Sequence, residues 1–310
     1  MIKMINAIKG GVYPTMLTPF TSDNKIDYNA VSGILDYYAK NKVDGIFAIC
    51  QSSEIFYLSF EERLALLKYI KDNLPEGMSL VASGHVADDI DTQIKEAKAF
   101  CETGIDAYVF ISNRFAAQDE GDDVFLANYE KAVKALGDIP VGMYECPYPY
   151  KRVIMPGIIK KCCDYGNFAF IKDTCCDINL IREKLRAAEG TSLGIFNANG
   201  ATLYESLKAG CAGYSGVMAN FHPDLYVRLC HTWQNSPDEA QIIADFLSFA
   251  STIELQQYPV NAKYHMKLSG VNMEIYSRTR DCSTFTEANK KEIEAMIKTE
   301  DFFRKMLKNN

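Results

Sequence analysis

The chain has 310 residues, 48% of them hydrophobic, enough for two average domains or for one β/α barrel of about 250 residues with an appendage. Its 33 basic and 40 acidic residues leave a net charge of −7 with no basic block, which argues against nucleic acid or anionic membrane as the main partner. The ten cysteines are scattered and form no CxxC, and His85, His222, His231 and His265 form no ligand-spaced pair. Reduced thiols, no metal and no cofactor are therefore expected.

Residues 1–10 lack the apolar core of a signal peptide, and no apolar run approaches the roughly 20 residues that span a bilayer, so a cytoplasmic protein is expected. Eight short β-rich runs then follow in order. The first four are 12–17, 45–50, 80–84 and 107–111; the second four are 141–144, 168–171, 193–196 and 212–217. Between them, apolar residues recur at three- and four-residue steps over 30–41, 60–73, 88–103 and 122–136, which predicts amphipathic helices. Ser59 and Asp88 stand where capping residues open two of these. Strand spacings of roughly 25 to 35 residues suit β-α units, and eight units predict a closed barrel. A dinucleotide-binding sheet is the rival arrangement, but no GxGxxG follows any run. The expected fold class is α/β: a (β/α)8 TIM barrel over 1–222 with a C-terminal helical extension over 223–310 packed on it.

Such barrels carry their chemistry at the C-terminal strand ends, which are polar here: Gln51-Ser52-Ser53-Glu54, Tyr144-Glu145-Cys146-Pro147, Lys172-Asp173-Thr174 and Asn197-Ala198-Asn199-Gly200. A lysine at the mouth of an apolar barrel loses hydration, its pKa falls, and the free amine can attack a ketone; the plain alternative for Lys172 is a side chain that snorkels to solvent. Tyr144 closes the neighbouring strand. An amine to attack a carbonyl and a phenol to move protons at the carbinolamine oxygen are what imine chemistry needs. Ser52 and Ser53 read either as turn caps or as hydroxyls that grip the carboxylate of a 2-oxo acid. Arg114, Lys151 and Arg152 read as anion binders or as rim charges. Glu54 and Asp173 read as braces, and Cys146 and His85 as packed residues.

Five ordered segments resemble the pyruvate-dependent class I aldolases and lyases that include dihydrodipicolinate synthase and N-acetylneuraminate lyase. These are Gly11 to Phe20; Gln51 to Glu54 with Leu58 and Glu61-Glu62-Arg63; Tyr144 to Pro147; Ile171 to Thr174; and Pro259 to Lys263 before Leu268-Ser269-Gly270. The resemblance spans nearly the whole chain. It implies that Lys172 forms the imine, that Tyr144 relays protons and orients the adduct, and that Ser52 with Ser53 holds the pyruvate carboxylate. It also implies a homo-oligomer, tetramer or dimer. In the sialic-acid lyase branch the end of strand seven contacts the hydroxylated tail of the substrate, which makes Asn197 and Asn199 candidates for that contact; Asn-Ala-Asn-Gly is equally strong turn chemistry.

Three departures qualify the resemblance. The first hydroxyl of the family's glycine-threonine-threonine-glycine-glutamate loop is Gln51 here, which joins the substrate-binding candidates and leaves no hydroxyl to link two tyrosines in a relay. Ile111-Ser112-Asn113-Arg114-Phe115 replaces the tyrosine pair that the synthases carry after strand four. Pro147 is followed by Tyr148-Pro149-Tyr150-Lys151-Arg152, which displaces the arginine that binds the second substrate of the synthases. The expected function is a Schiff-base lyase or aldolase acting on pyruvate or a 2-oxo (sugar) acid. The alternatives are dihydrodipicolinate synthase proper, a 2-keto-3-deoxy sugar acid dehydratase and a non-catalytic 2-oxo acid-binding barrel.

Overall fold

The computed structural model describes residues 8–309. Eight parallel strands form one sheet: β1 (Gly11–Val12), β2 (Gly45–Ala48), β3 (Ser79–Ala82), β4 (Ala107–Ile111), β5 (Val141–Tyr144), β6 (Phe168–Asp173), β7 (Gly194–Asn197) and β8 (Gly213–Tyr214). They run in the order β1-β8-β7-β6-β5-β4-β3-β2, and the two ends of that order meet. Asp44 N donates to the Val12 carbonyl (3.1 Å), Phe47 N to the Pro14 carbonyl (3.0 Å) and Met16 N to the Phe47 carbonyl (3.0 Å), which closes the barrel. The first run, expected to be a strand over 12–17, is regular only at Gly11–Val12. Pro14 has no N–H to give to a ladder, so pairing beyond it survives as a single Thr15–Phe47 bridge. On the other side, β8 presses so closely on β1 that a Cβ at Gly213 would overlap the Gly11 carbonyl.

Seven helices connect the strands: α1 (Tyr28–Lys40), α2 (Phe60–Asp72), α3 (Ile90–Cys101), α4 (Asp122–Leu136), α5 (Pro156–Cys163), α6 (Ile178–Ala187) and α7 (Leu203–Ala209). After β8, α8 (Pro223–Thr232) lies against β1 and β8, and α9 (Pro237–Ala250), α10 (Val260–Leu268) and α11 (Glu287–Asn309) follow. Ser59 caps α2, and Glu62 returns the bond to the Ser59 N–H, a reciprocal capping box. At α3 the cap is Asp89, whose side chain accepts from Thr92 N (2.8 Å), and not the expected Asp88, which instead pairs with Arg114. No helix of the described residues is long and apolar enough to cross a membrane, and all ten cysteines are free.

Helices cover the outer face of every strand, so the strands are buried on both faces and read as continuous apolar runs. Inside the barrel, Phe170 stacks on Phe196 (ring centres 4.5 Å apart), Tyr13 meets Phe196 edge-on (4.9 Å), and Phe47 reaches Phe170 from the opposite wall (6.0 Å). This aromatic plug fills the barrel below its C-terminal mouth and forms the floor of the site.

Candidate active site

Side chains alternate faces along a strand, so Lys172, two residues beyond Phe170, emerges on the same inner face directly above the plug. The β5–β6 register pairs Gly142 with Phe170 and Tyr144 with Lys172, which sets phenol and amine side by side. Lys172 Nζ lies 4.1 Å from the centre of the Tyr144 ring and 5.9 Å from that of Phe47. The residue is 4% exposed, and among the described residues its amine makes no hydrogen bond and no ion pair. Burial holds its pKa below the ordinary lysine value, the condition for a nucleophilic amine. Burial pushes the Tyr144 phenol well above its ordinary value, so it keeps its proton and donates it to Gln51 Oε1 (3.2 Å).

The loop after β2 brings Gln51, Ser52 and Glu54 into the same cavity, which has a volume of about 530 Å³. Ser52 Oγ donates to Thr15 Oγ1 (3.0 Å). Ser53 does not join them: its hydroxyl donates to the Met16 carbonyl (2.6 Å) and accepts from Cys50 N (3.1 Å), which ties the turn to the segment after β1. Glu54 is a brace. Its two oxygens accept from Lys263 Nζ (2.6 Å), Ser277 Oγ (2.9 Å), Arg278 N (2.6 Å) and Thr279 N (2.8 Å).

The residues that follow Lys172 and Tyr144 point outward by the same alternation. Asp173 and Glu145 both meet Lys184 of α6 in a fully buried ion triad behind the site. Glu145 also accepts from Ile154 N and Thr174 N (both 2.8 Å). Asn197 likewise follows the inward Phe196 and faces α7, where Nδ2 donates to Thr202 and Ser206 hydroxyls (both 3.0 Å) and Oδ1 accepts from Asn199 N (2.8 Å). It is fully buried and does not reach the cavity. Asn199 does line it, with Oδ1 accepting from Thr202 N (3.0 Å).

Of the three cations expected near the mouth, only Lys151 lines the cavity, and its amine donates to the Thr174 carbonyl (2.7 Å). Arg114 pairs with Asp88, and Arg152 is held by the Ala117 and Glu120 carbonyls and by Asp122. Cys146 is a buried thiol pushed up to about 11 by desolvation, and it stays protonated beside Gln51. His85 lies outside the cavity. Ile111 N donates to its Nε2 (3.1 Å), Nδ1 sits 2.9 Å from the Tyr108 hydroxyl, and burial holds the ring neutral, down to about 3. Among the described residues, no group of three or more His, Cys, Asp or Glu side chains could hold a metal ion.

Residues that the strand-end rule does not reach complete the wall, among them Glu254, Tyr258 and Arg280 from the segment after α9. The Tyr258 hydroxyl accepts from Asn220 Nδ2 (3.3 Å) and stands with Ser52 and Thr15 in one hydroxyl cluster. The Pro259 to Lys263 motif marks this stretch in the sequence, but only Lys263 has a mate within the known strand ends, through Glu54.

A (β/α)8 barrel that gathers a desolvated lysine, a phenol and a serine-bearing loop around one cavity defines an enzyme of the class I aldolase type. The comparisons agree with that assignment. The chain belongs to the dihydrodipicolinate synthetase family, whose model matches residues 9–300. It is 22% identical over 267 residues, 85% of this chain and 88% of the other, to the 4-hydroxy-tetrahydrodipicolinate synthase of Brachyspira hyodysenteriae. Its fold matches a prophage protein of the dihydrodipicolinic acid synthase family from E. coli K12, solved in complex with pyruvate (TM-score 0.85, 20% identity, 94% of this chain and 99% of that one). The N-acetylneuraminate lyase of Mycoplasma synoviae has the same fold (TM-score 0.79, 21% identity, 93% and 96% of the two chains).

Proposed function

We propose that the protein is a lyase that cleaves or forms a bond next to the 2-oxo group of pyruvate or a longer 2-oxo acid, through an imine on Lys172. The observation that carries this reading is the Lys172 amine: buried, without a partner among the described residues, held below its ordinary pKa, and set against Tyr144. Ser52, beside Tyr258 and Thr15, is the hydroxyl assigned to the substrate carboxylate. Lys172 adds to the 2-oxo carbon, Tyr144 gives its proton to the departing carbinolamine oxygen, and water leaves the iminium. Cleavage of the C3–C4 bond then sends its electron pair toward the iminium nitrogen and leaves an enamine, which protonation and hydrolysis release as pyruvate.

The synthase name of the curated relatives and the pyruvate bound in the E. coli relative support a 2-oxo acid substrate. Dihydrodipicolinate synthase proper is the weaker reading, because Arg152 is committed to Ala117, Glu120 and Asp122, and the segment 111–115 offers no phenol. The homo-oligomer implied by the resemblance belongs to the same proposal, and light scattering on the purified chain checks it.

Intact mass after incubation with pyruvate and borohydride, followed by peptide mapping, tests the reading: a reduced pyruvyl group is expected on residue 172. An unmodified protein would sink the imine mechanism. Removing the Ser52 hydroxyl (Ser52→Ala) takes away one hydrogen bond to a charged group, so KM for pyruvate should rise about 10-fold to 100-fold while kcat changes less. Steady-state kinetics on any accepted substrate, or saturation of the borohydride reaction, reads this out; an unchanged half-saturation removes Ser52 from the site.

A further inference from the structure

Every carboxylate buried in this fold has a partner. Asp44, Glu54, Glu96, Glu145, Asp173 and Glu300 each accept from a basic side chain. Glu254 is different. It sits in the 3₁₀ turn Ser251–Leu255 between α9 and α10, half-buried in the wall of the cavity that holds Lys172 and Tyr144, and its carboxylate accepts no hydrogen bond and forms no ion pair among the described residues. Packing has no use for it there, and it lies close enough to Lys172 for each charge to act on the other.

The chemistry leaves a place for such a group. Tyr144 donates to the amide oxygen of Gln51, an acceptor that cannot pass a proton on, so the phenol has no hydroxyl beyond it to connect it with solvent. Burial also raises its pKa, so once reprotonated the phenol holds its proton at neutral pH and is not available as a base. We propose that Glu254 is the acid–base residue of the carbon–carbon step, resting on the imine reading above. Its carboxylate takes the proton of the C4 hydroxyl as the C3–C4 pair moves into C2=C3 and the iminium π pair moves onto Lys172 Nζ. The C4 fragment leaves as a carbonyl compound. Glu254 then returns the same proton to C3 of the enamine, which restores the iminium and the carboxylate, so no external acid, oxidant or reductant is needed.

Burial raises the Glu254 pKa above the ordinary carboxylate value and Lys172 pulls it back, which suits a group that must both accept and return a proton. The titratable groups that feel its charge are Lys172 on β6, Cys176 in the loop after it, Tyr214 on β8, Tyr226 on α8 and Tyr258. Lys151 and Arg280, both exposed, line the same cavity.

The second half of this cycle runs in reverse on pyruvate alone, so exchange of the pyruvate methyl protons in D2O, followed by proton NMR on the full chain, tests it without the physiological substrate. Glu254→Gln is isosteric and breaks no contact within the protein. It should keep the borohydride-trapped adduct on Lys172, slow methyl exchange by about 10²-fold to 10³-fold, and lose the acidic limb of the exchange pH profile. Glu254→Asp keeps a carboxylate and should retain exchange within about 10-fold of the native rate. A Glu254→Gln protein that forms the adduct and exchanges at the native rate overturns the role of Glu254 and leaves the imine intact. Absence of any adduct on the native protein overturns the imine reading instead.

Discussion

On the proposed imine mechanism, Lys172→Met is expected to abolish pyruvate methyl exchange and borohydride trapping, a loss of at least about 10⁴-fold in rate, while leaving the protein no less stable. The native amine is desolvated with no partner among the described residues, so replacing it with an apolar side chain of similar length removes an unpaid cost on the order of 1 kcal/mol or more. The pH dependence has a definite sign. The folded-state pKa of Lys172 lies below its ordinary value of 10.5, so in the window between the two the unfolded chain binds more protons than the native one. Native stability therefore rises with pH through that window, and the advantage of the variant shrinks. Paired urea titrations at pH 7 and near pH 10 measure it. A variant markedly less stable than the native protein at pH 7 would show that Lys172 serves packing and not chemistry.

The second large effect is on the fold. Lys184→Met leaves Glu145 and Asp173 facing each other, fully buried, with no cation between them, and should cost about 3–5 kcal/mol at neutral pH. Burial and the neighbouring Asp173 already hold the Glu145 pKa above its ordinary 4.5, with Lys184 opposing them. Removing the lysine raises it further. A carboxyl with a raised folded-state pKa favours the native state below its unfolded value and loses that contribution as pH rises through the folded one, so the deficit of the variant should narrow as the pH falls toward about 4.5. Urea unfolding at pH 7 and pH 5 reads both points. Equal stability of the two proteins at pH 7 would contradict the account. Because the triad anchors the residues that directly follow Tyr144 and Lys172, the variant should also lose activity out of proportion to its folded fraction.

The barrel was legible because its signals are local. Eight apolar runs at regular spacing and helices with three- and four-residue periodicity need no knowledge of distant contacts, and α4 falls on its expected residues, Asp122–Leu136. The placement of Lys172 beside Tyr144 is legible because the strand-end rule and the register of adjacent strands act together. Asn197 stands away from the cavity for a reason the sequence already contains: it follows the inward Phe196 by one residue, so alternation turns it toward α7. Ser53 was ambiguous for a different reason, since a serine in a turn satisfies the backbone as readily as a ligand. Glu254, Tyr258 and Arg280 carried no local signal. Their arrival at the mouth depends on how α9 and α10 cross the barrel, which periodicity does not encode.

Glu54 draws its partners from residues 209 to 225 positions further along the chain. Contacts of such separation form late, after the entropy of closing a very long loop has been met. All eight strands, with Lys172 among them, are available to a growing polypeptide once Tyr214 has been added, yet the wall carrying Glu254, Tyr258 and Arg280 awaits a later stretch of the chain. The order of events thus leaves the Lys172 amine without its full surroundings until the last helices dock. In refolding, recovery of methyl exchange should lag behind burial of the barrel aromatics by the time Glu54 takes to find Lys263.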